Sequence, residues 1–239
     1  MTYHIDVHET CVVCNQTNKF MVMVSFSSFG SDDLDFRPGG DAFGAVGGAL
    51  QECPKCGYVN SHVSEKRAST EIVMHTSKFK KLQSSDIHIY AYKKLMKASL
   101  FYEAEGDHWD AGMYSLAAAW GADNMVEVEY ADESRVRAAL LFEKSLIKKT
   151  KLGENKLITE FRLLDIYRRL SDWEKSNQFA THLEVEALDE KLSAIFDLQL
   201  KLIKAKSNVA ATVDQAMAQQ RQYGNSKITI NLDSLSFKN

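Results

Sequence analysis

The sequence predicts an α+β protein in which a small antiparallel zinc-ribbon module precedes a larger all-α array of helical hairpins. All four cysteines fall in two Cys-x-x-Cys pairs near the N-terminus, and apolar residues recur at helical spacing from about residue 85 onward. Both prolines lie before residue 60, and the rest of the chain contains few glycines, which is typical of a long helical array. We predict a zinc-ribbon module over 1–70, a tetratricopeptide-like helical domain over 71–224 and a C-terminal tail over 225–239.

The two cysteine pairs have the spacing of a tetrahedral zinc site. Two residues between cysteines let one tight turn direct both sulfurs toward an ion about 2.3 Å away, and two such pairs complete the coordination shell. Pro54 and Gly57 favour this turn in the second pair, and Asn15 tolerates a left-handed backbone in the first. We predict one structural Zn²⁺ ion with the ligands Cys11, Cys14, Cys53 and Cys56.

Two disulfides or four unrelated free thiols are the alternatives. Residues 1–6 contain neither a basic nor an apolar run, so we expect no signal peptide and a cytoplasmic, reducing environment in which disulfides do not persist. Redox chemistry would need one reactive pair in a strand–helix context rather than two matched pairs. His4 and His8 lie close to Cys11 and are alternative ligands, but four cysteines already complete the site.

The N-terminal module is predicted to contain a small antiparallel sheet. Residues 3–7 alternate in the manner of a strand, and residues 19–29 can place their aromatic and β-branched side chains on one face. Residues 58–62 are expected to pair back into the same sheet. The domain boundary is placed near residue 70.

Two loops connect the cysteine pairs. Residues 31–38 hold three aspartates and one arginine, which we interpret as an ordered surface loop in which Arg37 pairs with an aspartate. Residues 39–48 are rich in glycine but lack the Gly-Lys-Ser/Thr ending of a phosphate loop. We therefore expect a flexible loop or bulge there.

The rest of the chain is predicted to be helical. Gly106-Asp107, Gly153 and Ser171-Asp172 mark points where one helix ends and the next begins. Apolar periodicity predicts helices over 85–104, 109–121, 132–149, 154–170, 173–187, 189–206 and 209–221. The third helix is expected to carry two neighbouring apolar rows, one of Val136, Leu140 and Ile147 and one of Ala139, Phe142 and Leu146. The alternating segment 227–232 is a candidate strand in the tail.

One turn sequence recurs among these helices. The segment from Tyr102 to Trp109 is similar to that from Tyr167 to Trp173, with the tyrosines 65 residues apart and the tryptophans 64. This separation is close to two periods of about 34 residues, the tetratricopeptide length. We predict degenerate tetratricopeptide-like hairpins, and the alternative is an irregular bundle with a coincidental turn. Stacked hairpins leave a concave face, which commonly binds a peptide or another protein.

Several segments carry a resemblance to a known family. They are Cys11 and Cys14, the Asp-Leu-Asp-x-Arg-Pro run within 33–38, the Cys-Pro-x-Cys-Gly-Tyr run at 53–58 and a looser match over 163–183. In these segments the chain resembles an uncharacterised bacterial family known only as a domain of unknown function. The resemblance implies zinc binding and a helical array, and it implies no activity.

The charge balance and the known sequence motifs limit the classes of function that we predict. The net charge is −3, and residues 1–70, with eight acidic and five basic residues, account for all of it, which does not favour nucleic acid as a partner. No apolar run approaches the length of about 18 residues that a membrane span needs. The sequence contains no His-Glu-x-x-His, Gly-x-Ser-x-Gly or Gly-x-Gly-x-x-Gly motif.

We therefore predict a non-enzymatic interaction or scaffold protein, with a structural zinc ion in the ribbon and a protein or peptide partner on the helical array. One alternative is a zinc ribbon that binds nucleic acid through a local basic strip, which comprises Lys55, Lys66, Arg67, Lys78, Lys80 and Lys81. The other is a hydrolase-type enzyme with a site between the modules around residues 32–37.

A further group of acid–base residues lies at a predicted helix–helix turn, where helix caps and solvated charges are ordinary. It comprises Glu103, Glu105, Asp107, His108 and Asp110.

Overall fold

In the computed structural model the chain is mostly helical and begins with two short antiparallel ladders. The structure describes residues 2–40, 42–148, 155–183 and 188–223. The strands in these ranges are β1 (Tyr3–Thr10), β2 (Thr17–Ser25), β3 (Gln51–Glu52) and β4 (Val59–Asn60). The helices are α1 (Ala42–Gly48), α2 (Thr70–Met74), α3 (Ser77–Ser84), α4 (Tyr90–Ala104), α5 (His108–Asn124), α6 (Val128–Lys148), α7 (Asn155–Arg169), α8 (Trp173–His182), α9 (Glu190–Lys204) and α10 (Val213–Tyr223).

The predicted combination of a small antiparallel N-terminal β region and a larger helical part is confirmed. The tetratricopeptide character of the helices stays a prediction, as does the boundary near residue 70. The candidate strand at 227–232 lies outside the described residues.

The strands form two separate hairpins rather than one sheet. Strand β1 pairs with β2, and β3 pairs with β4. The prediction that residues 58–62 would join the first sheet was wrong, because β4 makes its ladder with β3. Each hairpin carries one cysteine pair in its turn, and these two turns face each other.

The glycine-rich segment forms helix α1, so the prediction of a flexible loop or bulge was wrong. A Cβ atom added at Gly47 would lie 3.5 Å from the Leu95 side chain of α4, and one added at Gly48 would lie 3.0 Å from the Cβ of Met23 in β2. The absence of side chains at these glycines lets the backbone of α1 approach both elements closely. Helix α1 therefore joins the first hairpin to the helical part of the chain.

The recurring turn sequence folds the same way at both of its positions. The N–H of Asp107 donates to the carbonyl of Tyr102 at 2.9 Å, and the N–H of Asp172 donates to the carbonyl of Tyr167 at 2.9 Å. These bonds end α4 and α7 in the manner of a Schellman motif.

The two aspartates of these turns also begin the next helix. The Asp107 side chain accepts a hydrogen bond from the N–H of Asp110 at 3.3 Å, and the Asp172 side chain accepts one from the N–H of Lys175 at 3.1 Å. Both are N-caps that satisfy a backbone donor of the first turn. The helix ends predicted at Gly106-Asp107 and Ser171-Asp172 are therefore confirmed.

Helix α5 is packed between α4 and α6. The hydroxyl oxygens of Ser99 in α4 and Ser115 in α5 lie 2.8 Å apart. Gly112 of α5 leaves space for the Phe142 ring of α6, which an added Cβ would approach to 2.8 Å. Trp120 is buried in the same layer. Of the two apolar rows predicted on α6, the structure packs the second against the core and leaves Val136, Leu140 and Ile147 exposed.

Buried apolar residues form two clusters. The larger contains residues of both hairpins and of α2 to α7, and within it the Tyr58 ring meets the Phe101 ring edge-on at 5.4 Å. The smaller lies among α7 to α10 and includes Leu34 from the loop between the cysteine pairs. Both clusters therefore draw residues from each side of position 70.

The two copies of the turn allow a test of backbone strain. Ser171 adopts a left-handed φ of 59° at the position where the first copy has Gly106, with a φ of 80°. Glycine adopts such angles without steric cost. We expect Ser171→Gly to raise the free energy of unfolding by about 0.5–1 kcal/mol, and Gly106→Ser to lower it by about 1 kcal/mol.

Urea denaturation of the two variants measures both changes. A Cβ atom at Gly106 would meet no atom within 4 Å, so that variant reports backbone strain alone. Equal stability of both variants and the unchanged protein would contradict the prediction.

Candidate metal centre and helical groove

The first cysteine pair lies in the turn between β1 and β2. The N–H of Cys11 donates to the carbonyl of Gln16 at 3.0 Å, and the N–H of Asn15 donates to the carbonyl of Cys11 at 2.9 Å. Asn15 has a left-handed φ of 57°, which returns the chain toward β2 directly after Cys14.

The second pair lies in the turn between β3 and β4 and has the same geometry. The N–H of Cys53 donates to the carbonyl of Tyr58 at 2.9 Å, and the N–H of Gly57 donates to the carbonyl of Cys53 at 2.8 Å. Gly57 has a φ of 74°, and a Cβ atom there would lie 1.9 Å from the side-chain oxygen of Gln83. Both the backbone and the neighbouring helix α3 therefore require glycine at this position.

The two turns bring the four sulfur atoms to one place. The Sγ atoms of Cys11 and Cys56 lie 3.7 Å apart, those of Cys14 and Cys53 lie 3.5 Å apart, and all four lie within 4.8 Å of one another. Four sulfurs bound tetrahedrally at about 2.3 Å from one ion are separated by about 3.8 Å. All four cysteines are free thiols rather than disulfides. The predicted ligand set thus forms a candidate metal site.

Burial disfavours ionised thiolates at this site unless a cation neutralises their charge. Cys11 and Cys53 are fully buried. Burial raises the pKa of the Cys53 and Cys56 thiols. Burial acts in the same direction on Cys14, but a hydrogen bond from the N–H of Gln16 and contacts with the other cysteines leave its pKa lowered. Four thiolates at this point are stable only with a cation between them, as a metal would supply.

A buried glutamine connects the two hairpins beside the sulfurs. Gln51 donates from Nε2 to Oε1 of Glu9 at 2.9 Å, and its Oε1 accepts the N–H of Val63 at 2.9 Å. The carbonyl of Val63 in turn accepts the N–H of Val12 at 2.9 Å. Burial acts to raise the pKa of Glu9, but its hydrogen bonds outweigh burial and lower that pKa to about 2. These bonds hold the two cysteine turns in register.

A buried lysine attaches the second turn to α4, and sequence reasoning missed it. Lys97 is 1% exposed, and its Nζ lies 2.5 Å from Oε1 of Glu52, the residue before Cys53. The same ammonium group donates to the side-chain oxygen of Gln83. Lys97 follows two other lysines in α4, and nothing in the sequence distinguishes the one that is buried.

Every residue of the loop at 31–38 is at least partly buried, and Leu34 and Asp35 are enclosed, so the prediction of a surface loop was wrong. Leu34 and Asp35 are 1% and 2% exposed. The Asp35 carboxylate accepts a hydrogen bond from Nε1 of Trp120 at 2.7 Å, which satisfies a buried polar group. Arg37 lies 3.8 Å from Asp33, which confirms the predicted pairing of this arginine with an aspartate. Of the carboxylates that motivated the hydrolase alternative, Asp35 thus attaches the loop to α5 and Asp33 pairs within the loop.

The acid–base group around residue 105 serves the helix ends and their packing. Glu103 accepts one hydrogen bond from Arg137 at 2.7 Å, Glu105 pairs with an arginine that precedes α2, and Asp107 caps α5. His108 is buried rather than solvated. Burial, followed by nearby lysines, lowers the pKa of His108.

The basic residues that would form a nucleic-acid-binding strip do not act as one charged surface, because two of them form ion pairs with glutamates. Lys66 lies 2.8 Å from Glu71, and Arg67 pairs with Glu105. Lys78 and Lys81 line a groove on the helices instead. The exposed remainder of the strip consists of Lys55 and Lys80.

That groove opens between α4, α6 and the segment that precedes α4, and its volume is about 960 Å³. Its apolar lining includes Ile87, Tyr92, Met96, Leu100, Val136 and Leu140. Val136 and Leu140 are 49% and 51% exposed, although both are apolar. A concave surface lined by apolar residues, some of them exposed, is typical of an interaction site.

Comparisons of the chain with protein-family models, with curated proteins and with solved structures find no match. The resemblance to an uncharacterised bacterial family therefore stays a prediction. Within the part of the chain that the structure describes, no helix is both long enough and apolar enough to cross a membrane.

The buried loop makes a pH-dependent contribution to stability. Burial, together with the carboxylates of Asp35 and Asp165, raises the pKa of Asp33 to about 6. This value lies above the unfolded value of about 3.9, so the stabilising contribution is complete below pH 4 and is lost as the pH rises through about 6. We expect Asp33→Asn to match the unchanged protein near pH 4 and to be about 1 kcal/mol more stable at pH 7.5, allowing for solvent screening.

Urea denaturation of both proteins across this pH range provides the test. The informative quantity is the difference in stability between the two proteins, because carboxylates that do not interact with Asp33 titrate equally in both and cancel. A difference that does not change with pH would contradict the prediction.

Proposed function

We propose that this chain is a non-enzymatic interaction protein of the cytoplasm. A zinc ion held by the four cysteines stabilises the N-terminal hairpins, and the groove between α4 and α6 binds a segment of a partner protein. The observation that carries the interaction is the groove, where the exposed apolar side chains of Val136 and Leu140 on α6 border a concave surface whose floor on α4 is also apolar.

The donor set supports zinc in a structural role. Four thiolates in tetrahedral geometry suit Zn²⁺ and leave no coordination position for a substrate or a water molecule. The ladder of β3 and β4 pairs only two residues of each strand. A hairpin of this size is marginally stable in water, so a metal that links it to the first hairpin would contribute directly to folding.

The metal is tested by elemental analysis and thiol titration of protein purified without a chelator. We expect one zinc ion per chain and four thiols that react only after a chelator is added. Cys53→Ser should lose the zinc and lower the melting temperature, because it removes one of the four ligands. Val12→Ser, a polar change in the first turn that removes no sulfur, should keep the zinc. Metal-free protein with four reactive thiols would refute a structural zinc site.

The interaction is tested by site-specific photo-cross-linking in the cells that produce the protein. A benzophenone amino acid at Leu140 lies in the groove, whereas one at Ile147, which is 80% exposed on the same helix, does not line it. We expect a defined protein to cross-link from position 140 and not from position 147. Identical products from both positions, or none from position 140, would count against a partner in the groove.

A further inference from the structure

We propose that the groove selects an amphipathic helix of the partner protein, with acidic residues in its first turn and basic residues in its last. This helix lies antiparallel to α4 and α6. The inference rests on the proposed function and specifies the chemistry of the partner segment.

Helices α4 and α6 run parallel along the groove. The rings of Tyr92 and Tyr130, in the first turns of these helices, lie 5.2 Å apart. Near their C-terminal ends, Nζ of Lys144 lies 3.4 Å from Oε1 of Glu103. The groove therefore has one end at the two N-termini and the other at the two C-termini.

Helix α3 runs antiparallel to α4 beside the groove. The rings of Phe79 and Phe101 lie 5.9 Å apart, so the start of α3 lies near the end of α4. After the end of α3, the carbonyl of Ser85 accepts a hydrogen bond from Nζ of Lys93 at 3.0 Å, near the start of α4. The side-chain oxygen of Gln83 accepts a hydrogen bond from Nζ of Lys97, so the part of α3 from Phe79 to Gln83 lies beside the second half of α4 and borders the C-terminal half of the groove.

Charge is segregated between the two ends. The C-terminal end carries four basic groups against the single carboxylate of Glu103, and these groups are Lys78, Lys81, Arg137 and Lys144. The N-terminal end carries three carboxylates against two basic or neutral nitrogen groups, His88 and Lys93, the second of which donates a hydrogen bond to the carbonyl of Ser85; the carboxylates are Asp86, Glu127 and Glu133. Within the described ranges, Lys78, Lys81 and Glu127 have no ion-pair partner, so they are available to a ligand.

The dimensions fit a helix of about three turns. Tyr92 to Glu103 covers about 17 Å of α4 at a rise of about 1.5 Å per residue. A helix with apolar residues at positions i, i+3, i+4, i+7, i+8 and i+11 presents a continuous apolar stripe over that length. Met96 and Leu100 lie in the middle of the groove, where the stripe would be covered.

The charges then decide which way the helix lies. Helices favour acidic residues in their first turn and basic residues in their last, because these complement the backbone dipole. A helix of this type places its acidic turn beside Lys78 and Lys81 only if its N-terminus lies at the C-terminal end of the groove. Its dipole then opposes those of α4 and α6, which is the favourable side-by-side arrangement. The reverse orientation would set its acidic turn against Glu127 and Glu133.

The test is selection from a phage-displayed library against the full-length, zinc-loaded protein. The library consists of helical segments of about 14 residues, with a fixed apolar stripe and with the other positions randomised among Asp, Glu, Lys and Arg. We expect enriched clones to carry acids in the first turn and bases in the last. A synthetic peptide of this type should bind at least about tenfold more tightly than one with the charges exchanged.

Two variants assign the binding to the groove. Leu140→Asp should weaken the selected peptide at least about tenfold, whereas the matched change Ile147→Asp should not. A protein with all four changes Lys78→Glu, Lys81→Glu, Glu127→Lys and Glu133→Lys should prefer the charge-exchanged peptide. These four side chains are exposed, so the changes leave the core intact.

Failure of the inference differs from failure of the proposed function. Two results would overturn the proposed helical ligand: selected peptides with no preferred order of acidic and basic residues, or peptide binding that Leu140→Asp does not weaken. Either result leaves the proposal of a protein partner on the helical array in place. No enrichment at all also overturns the inference, and cross-linking from position 140 then decides the proposed function independently.

Discussion

The convergence of four sulfur atoms between two short hairpins is the constraint on which the N-terminal half of the structure depends. Neither hairpin buries enough apolar surface to be stable alone, and the cysteine turns are the points where they meet. The second turn is also attached to α4 by the Lys97–Glu52 ion pair and by the contact of Tyr58 with Phe101. The position of the sulfurs and the position of α4 are therefore linked.

The long separation between the cysteine pairs has a structural explanation. The intervening chain is not a free loop, because it makes two attachments to the helices. Leu34 enters the smaller apolar cluster while Asp35 accepts a hydrogen bond from Trp120, and the glycines of α1 pack against α4 and β2. The segment that joins the two halves of the candidate metal site thus also contacts helices that are distant in sequence.

Helix α4 has different roles on its different faces. One face meets the second cysteine turn, one packs on α5, and the third borders the groove through Tyr92, Met96 and Leu100. Because α4 makes contacts on all three faces, apolar residues occur all round the helix. The spacing of its apolar residues therefore could not show which of them face the core and which face the groove. The same holds for α6, where Leu141 is buried and the adjacent Leu140 is half exposed.

The sequence alone determined the features that depend on neighbouring residues. The cysteine spacing, the left-handed Asn15 and Gly57, and the capping aspartates Asp107 and Asp172 act within a few residues, so each could be recognised locally. Only the tertiary structure decided the burial of Lys97, the insertion of the loop at 31–38, the helix at α1 and the segregation of charge along the groove. Each of these depends on residues distant in the chain, whose mutual position is set by packing rather than by local backbone preference.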